Sequence, residues 1–484
     1  MCYNKEIDID ESQNISHAIT LKKHLIYWQY VEGNTIGPLD HYILTLSNYF
    51  GLAFDYTSAR IVGLFLLIIS LLCFYSSVSN FFNRKIATIS SLILFTFYSF
   101  TQNQDFVHYT SEHLPIALWM MALAMFASIY NYNKFAPFKI FLTGLLLGMT
   151  PFAKLQIVPL SFALLLFMSY WILYVHQSSK SIKIRSLFFL TMGLIFFPIF
   201  VLAICVHYEI TNDFINLYIK GNLLNAKGLT LKENITRIPF FLSKSTELIS
   251  LLAFTLVCFL SSLRTSKVQT NISLPIWIVF SLVMGFFAIM KTGSNYVHYF
   301  LLIIFPLGYA IAWSLNSPKL SKRTITFCIM GIFALGISTV YFRKLKTGNF
   351  NNYVSSYPKN STQISEVSKK IKLLSNNEND ELVVWGWACN YYVETQMPHG
   401  TAMNHMHRCI FGSEMRETFR AKFYKDLLAN KPTFFVDAVG KNSMWLNDKA
   451  TQSYQSWPLL ANYITQNYSL KENIDDVLIF KRKE

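Results

Sequence analysis

Four carboxylates stand out in this sequence because so little charge surrounds them. Asp10 and Glu11, with Asp8, lie at the start of the run IDIDESQNISHA near the N-terminus. Asp105 and Glu112 lie in QNQDFVHYTSEHLP (102–115), beside His108, Tyr109 and His113. A carboxylate held against a hydroxyl takes its proton as the oxygen attacks, so each is a candidate general base. Cations suited to an anionic leaving group or ligand follow: Arg60, Lys154 in GMTPFAKLQIVP, and Lys220 and Arg237 in the basic stretch 208–246. Lysine meets phosphate as a point charge and arginine as a fork. Gln156 and the run KTGSNYVHYF, with Tyr296, His298 and Tyr299, add hydrogen-bonding and aromatic groups. Each has a plainer reading: a solvated terminus, a polar loop, a lysine snorkelling to an interface, an aromatic belt.

A further cluster, MPHGTAMNHMHRC (397–409), holds His399, His405, His407 and Cys409. Zinc would accept these donors, with Cys389 in reach, but the spacing follows no common zinc signature. Cys389 and Cys409 are also candidates for a disulfide in an oxidising compartment. Any metal is left unassigned.

The elements that position these residues follow from composition. Of 484 residues 52% are hydrophobic and only 14% charged, against about 25% charged in a soluble domain. The deficit is concentrated in 58–341, where ten apolar runs recur: 58–79, 86–102, 113–131, 138–152, 155–175, 187–207, 247–264, 272–290, 295–314 and 324–341. About 20 apolar residues span a bilayer, and without water such runs must be helical. The expected fold is an all-α polytopic membrane bundle of about 10–11 helices, the second and fourth short, with a small C-terminal α/β domain. Its parts are an outer segment at 1–57, the bundle at 58–341 and the soluble domain at 342–484. In 36–57 a Gly-Pro pair precedes Leu39, Ile43, Leu46 and Phe50 at helical spacing, the pattern of an amphipathic helix lying in the interface.

The net charge of +15 is placed for a membrane and argues against nucleic acid. Arg84 and Lys85, Lys134 and Lys139, Lys180, Lys183 and Arg185, Arg264 and Lys267, and Lys319, Lys322 and Arg323 fill alternate loops that carry no acid. These loops are expected on the cytoplasmic side. Asp105, Glu112, Glu209, Asp213, Glu233 and Glu247 fall on the opposite face, with the N-terminal segment and the tail. In the tail the pattern predicts helices at 358–375, 412–429 and 457–467 and strands at 382–387, 433–439 and 476–482.

In this order the motifs resemble the GT-C superfamily of polyprenyl-phosphate-sugar-dependent glycosyltransferases. The bacterial branch similar to protein O-mannosyltransferases, aminoarabinose transferases and lipopolysaccharide-core galacturonosyl transferases is nearest. The resemblance covers about 5–341. It carries the family's catalytic aspartate to Asp10, with Glu11 beside it, and its second acidic loop to Asp105 and Glu112. Gly37-Pro38-Leu39 matches the start of a juxtamembrane helix, Arg60 an arginine opening the next span, and Lys154 and Gln156 the AKLQ stretch. Tyr109, Gln156, His298 and Tyr299 are taken as substrate-binding, with Lys154, Arg60, Lys220 and Arg237 on the donor phosphate. The family's first helix has no counterpart before Asp10, so an upstream helix is expected.

The resemblance implies inverting transfer of a sugar from a polyprenyl-phosphate donor to a lipid, glycan or protein acceptor. The reaction takes place among membrane lipids, on the outer face of a bacterial inner membrane. No cofactor is required, and a divalent cation is compatible. The rival readings are a transporter or flippase, whose ionisable groups sit near mid-membrane, an O-antigen polymerase or ligase, and a receptor.

Overall fold

The computed structural model describes residues 4–101, 103–132, 136–225, 229–263, 273–316, 336–337, 340–341, 344–345, 364–411 and 414–484. The tenth apolar run lies largely outside these, as do Lys134, Arg264, Lys267, Lys319, Lys322 and Arg323. The chain divides into two compact units: Met1–Val62 with Cys205–Leu224 and Pro358–Glu484, and Gly63–Ile204 with Asn225–Tyr357.

The first unit is discontinuous. Helix α1 (Ile9–Lys23) begins at Asp8, whose carboxylate accepts the Asp10 N–H at 3.0 Å. Asp10 and Glu11 occupy its first turn and Lys22 and Lys23 its last, the polarity that the helix dipole favours. Two thirds of its residues are polar, yet every residue from Glu11 to Leu21 is buried. Helix α2 (Pro38–Tyr49) starts with proline at its first position, as the Gly-Pro pair predicts. Its buried face is Asp40, His41, Leu44 and Thr45, while Leu46, Tyr49 and Phe50 are exposed. The apolar stripe thus points outward, as it would on a helix resting in lipid headgroups.

A four-stranded sheet forms the centre of this unit: β1 (Leu382–Trp385), β2 (Phe434–Asp437), β3 (Tyr468–Ile474) and β4 (Val477–Arg482), in the order β1-β2-β4-β3. β1 and β2 are parallel; β4 runs antiparallel to both β2 and β3. The pattern finds three of the four strands. β3 reads as polar because it is an edge strand with most of its side chains out of the core. Its hairpin with β4 turns through Asp475 and Asp476, both at positive φ (51° and 71°), the geometry of a tight hairpin turn. Trp385, Phe419, Phe423, Phe434 and Phe435 fill the core, which Leu217 enters from the 205–224 piece.

Polar ties bind the three pieces. The His399 N–H donates to Thr20 Oγ1 at 2.9 Å, and Asn404 Nδ2 to Gln13 O and Ser16 Oγ at 3.0 and 2.8 Å. Arg408 reaches Glu32 at 2.8 Å, the Leu217 carbonyl at 3.3 Å and Asn222 at 3.2 Å. Arg408 and Glu32 are both buried.

The second unit is a helical bundle. Nine of the ten apolar runs are helical. Among the described residues, six helices are long and apolar enough to cross a membrane: Tyr56–Phe81, His113–Tyr130, Leu155–Val175, Lys180–His207, Ser273–Lys291 and Val297–Leu315. Shorter ones cover Arg84–Phe100, Pro137–Ala153 and Thr246–Leu263. Phe74, Trp119, Phe126, Trp277, Phe305 and Tyr309 form the centre of its core. Helices Pro137–Ala153 and Lys180–His207 cross at glycines: a Cβ on Gly144 or Gly148 would stand 2.2 Å from the carbonyl oxygen of Leu190 or Leu194. Small residues four apart permit that approach in a bilayer, where no hydrophobic force draws helices together.

Replacing Arg408 by leucine leaves Glu32 buried and unpaired. We expect a loss of about 3–5 kcal/mol from the first unit, measured as chemical or thermal unfolding followed by the fluorescence of its tryptophans. An unchanged midpoint refutes the structural role of the pair.

Candidate functional site

In each unit, residues that the sequence analysis singles out form a buried pair of opposite charges. In the first unit Glu11 and Arg60 meet as a fork. Arg60 Nε donates to Glu11 Oε1 at 2.7 Å and its terminal nitrogen to Oε2 at 2.6 Å. That nitrogen also donates to the Lys5 carbonyl at 2.6 Å, and the Ile7 N–H donates to Glu11 at 3.1 Å. Glu11 is 0% and Arg60 3% exposed. Paired, bidentate geometry is what makes such burial tolerable. Glu11 is therefore committed to fixing the first turn of α1 against Arg60. Its neighbour Asp10 is half-buried in that turn.

Glu6 also belongs here, and no pattern in NKEIDIDES marks it. Its carboxyl accepts from Ser12 Oγ. Burial, opposed by that hydrogen bond and reinforced by Glu11 and Asp8, pushes it up to about 7. A carboxyl poised at that value is suited to holding or passing a proton at neutral pH.

In the second unit Glu112 accepts from the ammonium of Lys154. Lys154 follows Ala153, the last residue of its helix; its N–H donates back to Thr150 O at 3.0 Å, and its Nζ also donates to Ser111 Oγ at 2.7 Å. His298 Nε2 is 4.0 Å from the Glu112 carboxylate, and the ammonium lies 4.9 Å from the Tyr299 ring centre. Burial pushes the Glu112 carboxyl up, but Lys154 and His298 outweigh it and hold it below the ordinary carboxylate range. Tyr109 is fully buried, its ring 6.1 Å from that of His113.

Asp105, Gln156 and Arg237 each have a further hydrogen-bond partner. Asp105 is half-buried in the turn Gln104–Phe106, its N–H capped by Asn103 at 2.9 Å. Gln156 Nε2 donates to Ala288 O at 3.1 Å. Arg237 donates to Asn295 Oδ1 at 2.8 and 2.5 Å. Lys220 is exposed. Cys389 and Cys409 are free and buried, so they form no disulfide here. Among the described residues no three His, Cys, Asp or Glu side chains are arranged to hold a metal ion. His399 instead faces two histidines from elsewhere in the chain, His17 at 5.1 Å between ring centres and, beyond it, His41. Nothing in the sequence pairs them, because the contact is made between residues some 380 positions apart.

A multi-pass bundle with a small α/β domain defines the fold class. It is similar to the crystal structure of ArnT from Cupriavidus metallidurans bound to undecaprenyl phosphate, with a TM-score of 0.60 and 12% identity over 99% of this chain and 94% of that one. The oligosaccharyltransferase of Archaeoglobus fulgidus matches in its apo form with a TM-score of 0.45, at 11% identity over 89% of this chain and 66% of that one. Its complex with Zn and sulfate matches at 0.43, with 11% identity over 90% and 64%. No protein-family model matches the chain, and no curated protein matches it in sequence.

Lys154→Met removes the cation that keeps Glu112 ionised. The depressed carboxyl of the native protein contributes stability above the ordinary carboxylate value of about 4.5 and loses it as pH falls through the lower folded value. In the variant, burial raises the carboxyl instead. We expect a protonated-carboxyl C=O infrared band at pH 6 that is lost on adding Glu112→Gln; its absence refutes the pairing.

Proposed function

We propose that this chain is a membrane glycosyltransferase that moves a sugar from a polyprenyl-phosphate donor to an acceptor hydroxyl, with inversion, on the outer face of the membrane. The observation that carries the reading is the fold shared along 99% of the chain with a structure that holds undecaprenyl phosphate. The buried charge pairs add support, since membrane helices retain ionisable residues at a high energetic cost and chiefly for function.

A lipid phosphate is a good leaving group, so no nucleotide need be present. In this reading Asp10 takes the proton of the acceptor hydroxyl as its oxygen attacks the anomeric carbon. Glu11, locked on Arg60, sets the position of the turn that carries Asp10. Lys154, held by Glu112 and Ser111, stabilises the charge that develops on the departing phosphate. The chemistry asks for no cofactor; a divalent cation would add positive charge at the phosphate. Asp105, Tyr109, Gln156, His298 and Tyr299 are assigned to the substrates, and Lys220 and Arg237 to the donor phosphate. The acceptor is a lipid, a glycan or a protein.

Asp10→Asn should lower sugar transfer from a synthetic polyprenyl-phosphate donor by about 100- to 10,000-fold, the usual contribution of a general base, at unchanged abundance in the membrane. Full activity in that variant would remove Asp10 from the mechanism. Uptake of a labelled solute into proteoliposomes, without transfer, would favour a transporter.

A further inference from the structure

Three histidines from three separate segments meet inside the first unit. His17 on α1 lies edge-on to His41 of α2 and to His399 of the 397–409 segment, with ring centres 4.6 and 5.1 Å apart. His17 is 1%, His41 0% and His399 2% exposed. Five of their six ring nitrogens have no hydrogen-bond partner; the sixth, His41 Nδ1, is 2.7 Å from Tyr27 Oη. Buried polar atoms are nearly always paired, so this concentration of unpaired ones calls for an explanation. Packed this way the rings are tolerated as neutral, nearly apolar plates. One proton on any of them would place an unsolvated charge beside two further imidazoles.

The contact sits where the 397–404 segment grips α1. The His399 N–H bonds Thr20, Asn404 bonds Gln13 and Ser16, and Ala402 O accepts the Glu32 N–H at 2.7 Å. The other titratable groups facing this joint come from every element around it. On α2 Asp40 adjoins His41, and Tyr27 borders it from the segment between the helices. Tyr392 stands edge-on to His399 at 4.6 Å, and Cys389 Sγ contacts Asn404 O at 3.5 Å. His405 stacks on Trp387, Glu32 is paired with Arg408, and Asp426 accepts the Ala402 N–H and pairs with Lys422.

We propose that His17, His41 and His399 form an acid-sensitive latch, whose protonation releases the 397–404 segment from α1 and α2. Burial pushes His41 and His399 down to about 3, and His17 well below its usual value. An imidazole freed to water titrates near 6.5. Above that pH open and closed forms are both neutral and the latch has full strength. Below it only the open form binds protons, so the opening equilibrium grows as pH falls, until the closed form also titrates. Each histidine contributes up to about tenfold per pH unit, or about a thousandfold for three. Because α1 carries Asp10, opening would also disturb the base proposed above. That link rests on the functional reading, whereas the latch itself is measured without any activity.

The test is amide hydrogen exchange of the full-length protein in detergent between pH 7 and 5, followed in peptides covering 397–406 and 26–36. Ordinary amides slow by about tenfold per pH unit on acidification; amides freed by the latch should instead speed up, by as much as about a hundredfold per unit. A tenfold slowing in parallel with β4 and the bundle helices would overturn the proposal. So would acceleration of these peptides only together with the sheet, which would mean unfolding of the whole unit. The double variant His17→Phe, His399→Phe replaces two of the rings with plates that cannot take a proton; with His41 alone left to titrate, the acceleration should disappear and exchange should be at most nearly independent of pH. If it does not fold, the native protein still decides.

Discussion

A carboxylate taken out of water must find a cation close at hand or give up its charge, and this chain takes several out of water. Glu11 does so on the fork of Arg60, and Glu112 on the ammonium of Lys154. Glu32 does so on Arg408. Each pair fixes the end of a helix or a connecting segment. Glu11 anchors the first turn of α1; Lys154 follows the end of a bundle helix; Arg408 ties the segment between α1 and α2 to the pieces around the sheet. At Glu6, beside Glu11 and Asp8, burial raises the carboxyl toward neutrality instead. The same physics yields anchored acids and one poised acid within a few residues of each other.

The bundle was legible in the sequence because a bilayer imposes a crude, one-dimensional code. Nine apolar runs became helices at nearly the expected residues. Most of the α/β tail was legible for a related reason: LVVW and FFVD are buried on both faces and read as continuous apolar strands. The polar edge strand β3 carried no such signal. Helix α1 was invisible for the opposite reason. It is buried although polar, and its stabilisation comes from hydrogen bonds to residues more than 350 positions away, which no local pattern records.

The candidate site was legible in its parts but not in its partnerships. Scarcity of charge drew attention to Glu11, Arg60, Glu112 and Lys154, and the structure joins them two by two. Which acid would take which cation was not readable, since it depends on how the helices pack. The histidines show the same limit. His399 attracted notice for neighbours in sequence, whereas its neighbours in space are His17 and Tyr392.

The first unit is stitched from three stretches of chain, separated in sequence by the segments that build the bundle. No single cut can therefore yield it as a free-standing fragment. A protein begun at residue 364 would keep all four strands but lose the helix against which His399 and Asn404 lean, and Arg408 would face water without Glu32. Crystallographers, immunologists or engineers wanting this head in soluble form would have to graft the N-terminal sixty residues and the 205–224 loop onto it through new linkers. By the same logic, the ribosome has to pass residue 404 before α1 can find its seat.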